Sequence, residues 1–123
     1  MGLLFGSVNT SVPEYPDTRV EVIVQEDGKP STVRDQAKLW MLQRIHLEEW
    51  QCMDKIIHAE SRWIPNLWNS QGSSAYGLGQ VKGSHKYTAD KPMKQFKVAV
   101  KYAIYRYGTL CRAWKAHQSQ GWY

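Results

Sequence analysis

After Asp90 the chain has no carboxylate side chain. Residues 61–123 hold ten basic side chains and one acidic one, whereas residues 1–60 hold ten acidic and six basic. A basic second half suits an anionic polymer, and peptidoglycan, teichoic acid and nucleic acid all qualify on charge alone. Nucleic acid is not expected as a partner. Lys94, Lys97 and Lys101 read as the solvated face of a helix, and no RNA- or DNA-binding motif is present. Chemistry that needs a pair of carboxyl groups has few candidates in the second half of this chain.

Cysteine is equally scarce, with only Cys52 and Cys111. Two cysteines cannot make a zinc site without histidine partners, and His46, His58, His85 and His117 lack metal-ligand spacing. No metal and no cofactor are therefore expected. The pair reads either as buried thiols or, in an oxidising compartment, as a disulfide. Such a bridge would span 58 intervening residues and contribute roughly 4 kcal/mol in the chain-entropy model. A catalytic Cys–His pair is the weaker reading.

No apolar run approaches the ~18 residues of a membrane-spanning helix. Gly2-Leu3-Leu4-Phe5-Gly6 is too short for a signal-peptide core and lacks a basic flank. Gly6 stands where a myristoylation signal needs Ser or Thr. The expectation is a chain with no signal peptide and no membrane span. At 123 residues it fits a single core.

The pattern along the chain predicts a mainly α domain. Residues 1–33 form an irregular arm rich in Pro, Gly, Ser and Thr, with one strand-like stretch, Val20-Glu21-Val22-Ile23-Val24, ended by Asp27-Gly28. Residues 34–123 form the helical domain. Thr32-Val33-Arg34-Asp35 has capping-box spacing and opens a helix to about Glu48, with Ala37, Met41 and Ile45 on one stripe. Trp50 to Arg62 reads as a second helix. Residues 63–90 read as mostly loop, broken by Gly72, Gly77, Gly79 and Gly83. Pro92 opens a long helix with Met93, Phe96, Val100, Ala103, Ile104 and Tyr107 on one arc. Val98, Tyr102 and Tyr105 lie off that arc, so the helix is either buried on two sides or lines a cleft. Thr109 caps a last helix to about Gln118.

Glu60 is the candidate for chemistry. At roughly 100° per residue, Met53, Ile56, Ile57 and Glu60 share one helix face, so the pattern aims a carboxyl where an apolar side chain belongs. Pro65 follows closely, placing Glu60 at a helix C-terminus, where the dipole disfavours negative charge. Burial and dipole both push a carboxyl upward in pKa, and a Glu protonated near neutrality is what a general acid needs. The alternative is a surface Glu at a frayed helix end.

The run that follows resembles the catalytic segment of the lytic transglycosylases, a lysozyme-like family. Its parts here are Glu60-Ser61, Pro65-Asn66, Ser74-Ala75-Tyr76 and Gly77-Leu78-Gly79-Gln80. A second match is Tyr102-Ala103-Ile104-Tyr105-Arg106-Tyr107-Gly108, then Cys111, Ala113-Trp114 and Gly121-Trp122-Tyr123, which resembles the small transglycosylase-like domains of bacteriophages. The resemblance covers roughly Trp50 to Tyr123. It implies a lysozyme-like small α fold, Glu60 as the catalytic residue, and peptidoglycan glycan strands as substrate. It also implies a tyrosine from a late helix reaching the catalytic Glu; Tyr102 matches best by position and Tyr105 is the second choice. The family's usual Ala-Tyr-Asn form is absent here.

The carboxyl count agrees with that resemblance. Glycoside hydrolases of the usual kind use two carboxyl groups, and downstream of Glu60 only Asp90 exists. Asp54 lies about 120° away around the Glu60 helix. A lytic transglycosylase needs one Glu, which protonates the glycosidic oxygen and then deprotonates the muramic acid 6-hydroxyl as it closes a 1,6-anhydro ring. A hydrolytic muramidase would have to recruit Asp90.

Substrate-binding candidates are Gln80, through its amide; Gly77, with Gly79, through close backbone approach; and the loop hydroxyl of Ser74, with Ser73. Trp63, Tyr76, Trp122 and Tyr123 are candidates for stacking on sugar faces. Ser61 reads as a helix-end anchor. Without an export signal, such an enzyme would travel in or on a phage virion or leave through a membrane hole made by another protein, and act in the host periplasm. The arm would then dock onto other virion proteins of a tail or internal core by strand addition; otherwise it is a simple tail or wrap. A virion component that keeps the fold for glycan binding or assembly, without activity, is the non-enzymatic alternative.

Overall fold

A computed structural model describes residues 32–123. The arm, with its strand-like stretch at Val20–Val24, lies outside the described residues. Among the described residues the chain is mainly α, as the periodicity indicates: α1 Val33–Leu42, α2 Leu47–Ser61, a two-stranded ribbon β1 Ala75–Tyr76 and β2 Val81–Lys82, a one-turn α3 His85–Thr88, α4 Pro92–Tyr107 and α5 Leu110–Gln120.

The helix starts follow their side chains. Thr32 Oγ1 accepts from the Asp35 N–H at 3.0 Å, and Thr109 Oγ1 accepts from the Arg112 N–H at 3.1 Å, so each hydroxyl satisfies a donor that the helix cannot. Pro92 occupies the first turn of α4, where a missing N–H costs nothing. The first helix stops at Leu42 and does not run to Glu48. The N–H groups of Arg44 and Ile45 both return to the Met41 carbonyl at 2.9 Å, and the Arg44 guanidinium donates to the Trp40 carbonyl at 2.7 Å. The turn frees α2 to take a new axis, on which Trp50 and Met53 are fully buried against the same core as Met41.

The core joins Ala37 and Met41 from α1, Trp50, Met53, Ile56 and Ile57 from α2, Leu78 from the turn between β1 and β2, Phe96, Ala99, Val100 and Ala103 from α4, and Leu110 and Ala113 from α5. Phe96 is its aromatic centre, with Trp40 edge-on at 6.1 Å and Trp63 stacked at 5.7 Å.

Three links tie α2 to α5. The Glu49 carboxylate accepts the N–H groups of Leu110 at 2.6 Å and Cys111 at 3.3 Å, placing negative charge at the positive end of α5. A disulfide joins Cys52 to Cys111, with Cα atoms 5.0 Å apart. His117 meets Glu60 near the far ends. Residue numbers rise together along the three links, so the two helices run alongside in the same sense.

The loop between α2 and α4 is held by one buried amide. Gln95 is 2% exposed. Its Oε1 accepts from the Asn66 and Leu78 N–H groups at 3.1 and 3.2 Å, and its Nε2 donates to Asn66 Oδ1 at 2.8 Å and to the Thr88 carbonyl at 2.9 Å. A polar side chain is tolerated in this core position because its bonding capacity is filled.

Candidate active site

Glu60 is the penultimate residue of α2. Met53, Ile56 and Ile57 on the same face are fully buried, so the helix carries the carboxyl to the edge of the core. Ser61 then anchors the helix end: its hydroxyl lies 3.2 Å from the Ile57 carbonyl and 2.8 Å from the Leu78 carbonyl. That second contact ties Glu60 to the Gly77–Gln80 turn.

Glu60 lines a cleft of about 580 Å³ together with Gln80, Val81 and Lys82 from the ribbon, Tyr102 and Arg106 from α4, and Trp122 and Tyr123 after α5. The volume lies within the range of small-ligand clefts. Glu60 is the sole carboxylate side chain among these lining residues; the other charged ones, Lys82 and Arg106, are basic. Burial raises the Glu60 pKa from its ordinary value, and the neighbouring His117, by hydrogen bond and charge, pulls it partly back. Tyr123 feels the same carboxyl. Its phenol is pushed well above the ordinary range, first by burial and then by the charge of Glu60.

His117 is the residue that sequence reasoning missed. Its Nε2 lies 2.8 Å from Glu60 Oε2, with the two side chains 14% and 17% exposed. The ring is stacked by Trp114 at 5.6 Å and lies 6.3 Å from the Tyr123 ring. The sequence held one usable signal: Cys111 and His117 are on the same short helix, so a Cys52–Cys111 bridge would bring that helix against the one bearing Glu60.

Tyr102 does line the cleft, but its hydroxyl serves other partners. It donates to the Tyr123 main-chain oxygen at 3.3 Å and accepts from Arg106 Nη1 at 2.6 Å, and its ring meets Tyr123 edge-on at 5.3 Å. His117, and not the tyrosine expected to reach Glu60, is the side chain within hydrogen-bond distance of its carboxyl. Tyr105 is 89% exposed and does not line the cleft.

Gln80 is in the cleft, as expected, and also braces its wall. Its Nε2 donates to the Leu67 carbonyl at 2.8 Å and the Gly77 carbonyl at 3.0 Å. Trp122 is half-exposed on the rim, with the Arg106 guanidinium 5.4 Å from its ring centroid.

Four expected contacts are not in the cleft. Trp63 packs on Trp50 and Phe96, and its indole N–H donates to Asp54 at 2.9 Å; the core claims its face. Tyr76 is buried, with its hydroxyl on Asn66 Oδ1 at 3.0 Å and its ring against Trp68 and His85. Ser74 is exposed, and its carbonyl accepts from Gly83 at the ribbon end. Gly77 turns at φ +81°, and a Cβ there would lie 2.9 Å from the Gln95 side chain, so it serves packing against α4 and not approach to a ligand.

Asp54 pairs with Arg34 at 2.7 Å and does not line the cleft of Glu60. Asp90 is exposed and does not line the cleft. It precedes Pro92, and about 15 Å of helix separates Pro92 from Tyr102.

No protein-family model matches the chain, and neither a curated protein nor a solved structure matches it. The site is therefore read from its own geometry. Among the described residues no group of three His, Cys, Asp or Glu side chains is placed to hold a metal ion, and no helix is long and apolar enough to cross a membrane.

Proposed function

We propose that the protein is a peptidoglycan lytic transglycosylase that cleaves the bond between N-acetylmuramic acid and N-acetylglucosamine. The observation that carries this reading is the isolation of Glu60: one carboxylate side chain, raised by burial, in a cleft whose other charged side chains, Lys82 and Arg106, are basic.

In the first half of the reaction Glu60 delivers its proton to the glycosidic oxygen, and the bond to the anomeric carbon breaks. The neutral carboxyl favoured by burial is the form this step needs. In the second half the Glu60 carboxylate takes the proton of the muramic acid 6-hydroxyl as that oxygen bonds to the anomeric carbon. The product is a 1,6-anhydro ring, Glu60 ends protonated, and no water is consumed. One carboxyl suffices for both halves, whereas hydrolysis of the usual kind needs a second one across the scissile bond.

In this reading Gln80 and the exposed ring of Trp122, both lining the cleft, contact the sugar, and Lys82 and Arg106 supply positive charge for an anionic strand. The bacteriophage setting, with action on the host wall and docking to other virion proteins, rests on the resemblance alone.

Mass spectrometry of fragments released from purified peptidoglycan, for wild type and Glu60→Gln, tests the reading. It expects 1,6-anhydro ends from the wild type and none from the variant. Reducing ends would mean a hydrolytic muramidase. No release by either protein would favour a glycan-binding component without activity.

A further inference from the structure

We propose that His117 is the positioning residue of Glu60, holding Oε2 through an Nε2–H donor so that Oε1 alone carries the proton to and from the substrate. This inference rests on the transglycosylase reading and adds to it a residue that neither the cleft lining nor the resemblance singles out.

The geometry is specific. The Nε2–Oε2 contact is 2.8 Å and both side chains are largely buried. Among the described residues Oε1 has no hydrogen-bond partner, so it is the oxygen left for the cleft. The imidazole cannot swing freely, because Trp114 stacks on it and Tyr123 lies beside it. Its helix is fixed to the helix of Glu60 by the Cys52–Cys111 bridge and by Glu49. The two helices are thus clamped so that this one pair meets.

An Nε2–H donor fits both halves of the reaction. When Glu60 is protonated on Oε1, Oε2 is carbonyl-like and accepts from Nε2. When Glu60 is the carboxylate, Oε2 accepts the same hydrogen more strongly. The ring need not turn, and no proton leaves His117. An Nε2 without hydrogen would instead capture the carboxyl proton at Oε2, directing it away from the bond to be cleaved. The other titratable or charged groups around Glu60 are Tyr102 and Arg106 from α4, Lys82 from β2, and Tyr123 after α5. The Tyr102 hydroxyl is committed to the Tyr123 main-chain oxygen and Arg106, and the Tyr123 hydroxyl to Gly79. Among the described residues His117 alone hydrogen-bonds the carboxyl.

Two variants separate the role from bulk. His117→Gln offers a neutral amide donor, and His117→Phe fills the space with none. The first measurement needs no activity: nitrogen NMR of His117 in the wild type, and carbon NMR of the Glu60 carboxyl through a pH titration in all three proteins. The expected result is a protonated Nε2 and a Glu60 midpoint that moves upward in the Phe variant, less so in Gln. An unprotonated Nε2, or a midpoint that stays put in both variants, overturns the proposal whatever the activity. The second is steady-state release of anhydro fragments. The expectation is a kcat loss of roughly 100-fold in Phe with KM little changed, the cost of a misplaced catalytic group, and substantial recovery in Gln. Equal kcat in all three, or a loss shared equally by Phe and Gln, overturns it. If the wild type releases nothing, the transglycosylase reading fails, while the NMR result still decides whether His117 holds Glu60.

Discussion

The Tyr123 hydroxyl donates to the Gly79 carbonyl oxygen at 2.7 Å, in a buried contact between the segment after α5 and the turn that carries Gln80. The contact joins the two segments that bring Gln80 and Tyr123 to the candidate cleft. A Cβ on Gly79 would lie 2.3 Å from Ala99 Cβ and 2.7 Å from the Tyr123 hydroxyl oxygen. Gly79→Ala is expected to destabilise by about 1–3 kcal/mol through overpacking and to displace Tyr123. Tyr123→Phe, which leaves the Gly79 carbonyl unpaired, should destabilise by about 1–3 kcal/mol. Urea unfolding of both variants measures these losses.

The Cys52–Cys111 bridge encloses a long stretch of chain. Removing it by Cys52→Ala with Cys111→Ala should lower stability by roughly 4 kcal/mol in the chain-entropy model. The Glu49 cap remains in that variant, so α5 should still dock. The check is urea unfolding of oxidised wild type against the double variant, with reductant lowering the midpoint of the wild type only.

Gln95 makes four hydrogen bonds from a buried position. Gln95→Leu matches its bulk but abandons the Leu78 N–H, a buried donor left unpaired at about 1–3 kcal/mol, while the Thr88 carbonyl keeps the Lys91 N–H at 2.9 Å. Exchange protection of the Leu78 amide should fall first. Full protection in the variant would show that the loop is held by something else.

Glu60 gives a pH signature with a defined sign. Burial raises its folded-state pKa above the unfolded one, and His117 offsets part of the rise. A raised value contributes stability that is fully present below the unfolded carboxyl range and is lost as pH climbs through the folded value. Glu60→Gln is neutral at every pH and has no such loss. The variant should therefore gain on the wild type as pH rises from the ordinary carboxyl range toward neutrality. Thermal unfolding of both across that range checks it, and parallel curves would contradict the burial of the Glu60 carboxyl.

Much of the frame was legible in the sequence. Thr32, Pro92 and Thr109 mark helix starts by their own bonding chemistry, and the spacing of Met53, Ile56, Ile57 and Glu60 places a carboxyl at the end of a buried face. The end of α1 was not legible, because Ile45 continues the stripe of Ala37 and Met41 although the chain has already turned. Aromatic residues were the least readable. Trp63 and Tyr76 have the chemistry for stacking on a sugar, but their faces are taken by Phe96 and by Trp68 with His85. The Glu60–His117 contact joins residues 57 apart. It follows from how α2 and α5 lie together, which no local period encodes.

The most direct test of the single-carboxyl account is digestion of peptidoglycan by the wild-type protein in water enriched in heavy oxygen. Ring closure by the 6-hydroxyl predicts released fragments that carry no label from the solvent. One labelled oxygen at each newly formed sugar end would contradict it, because water would then have attacked the anomeric carbon and a second group would have to activate that water.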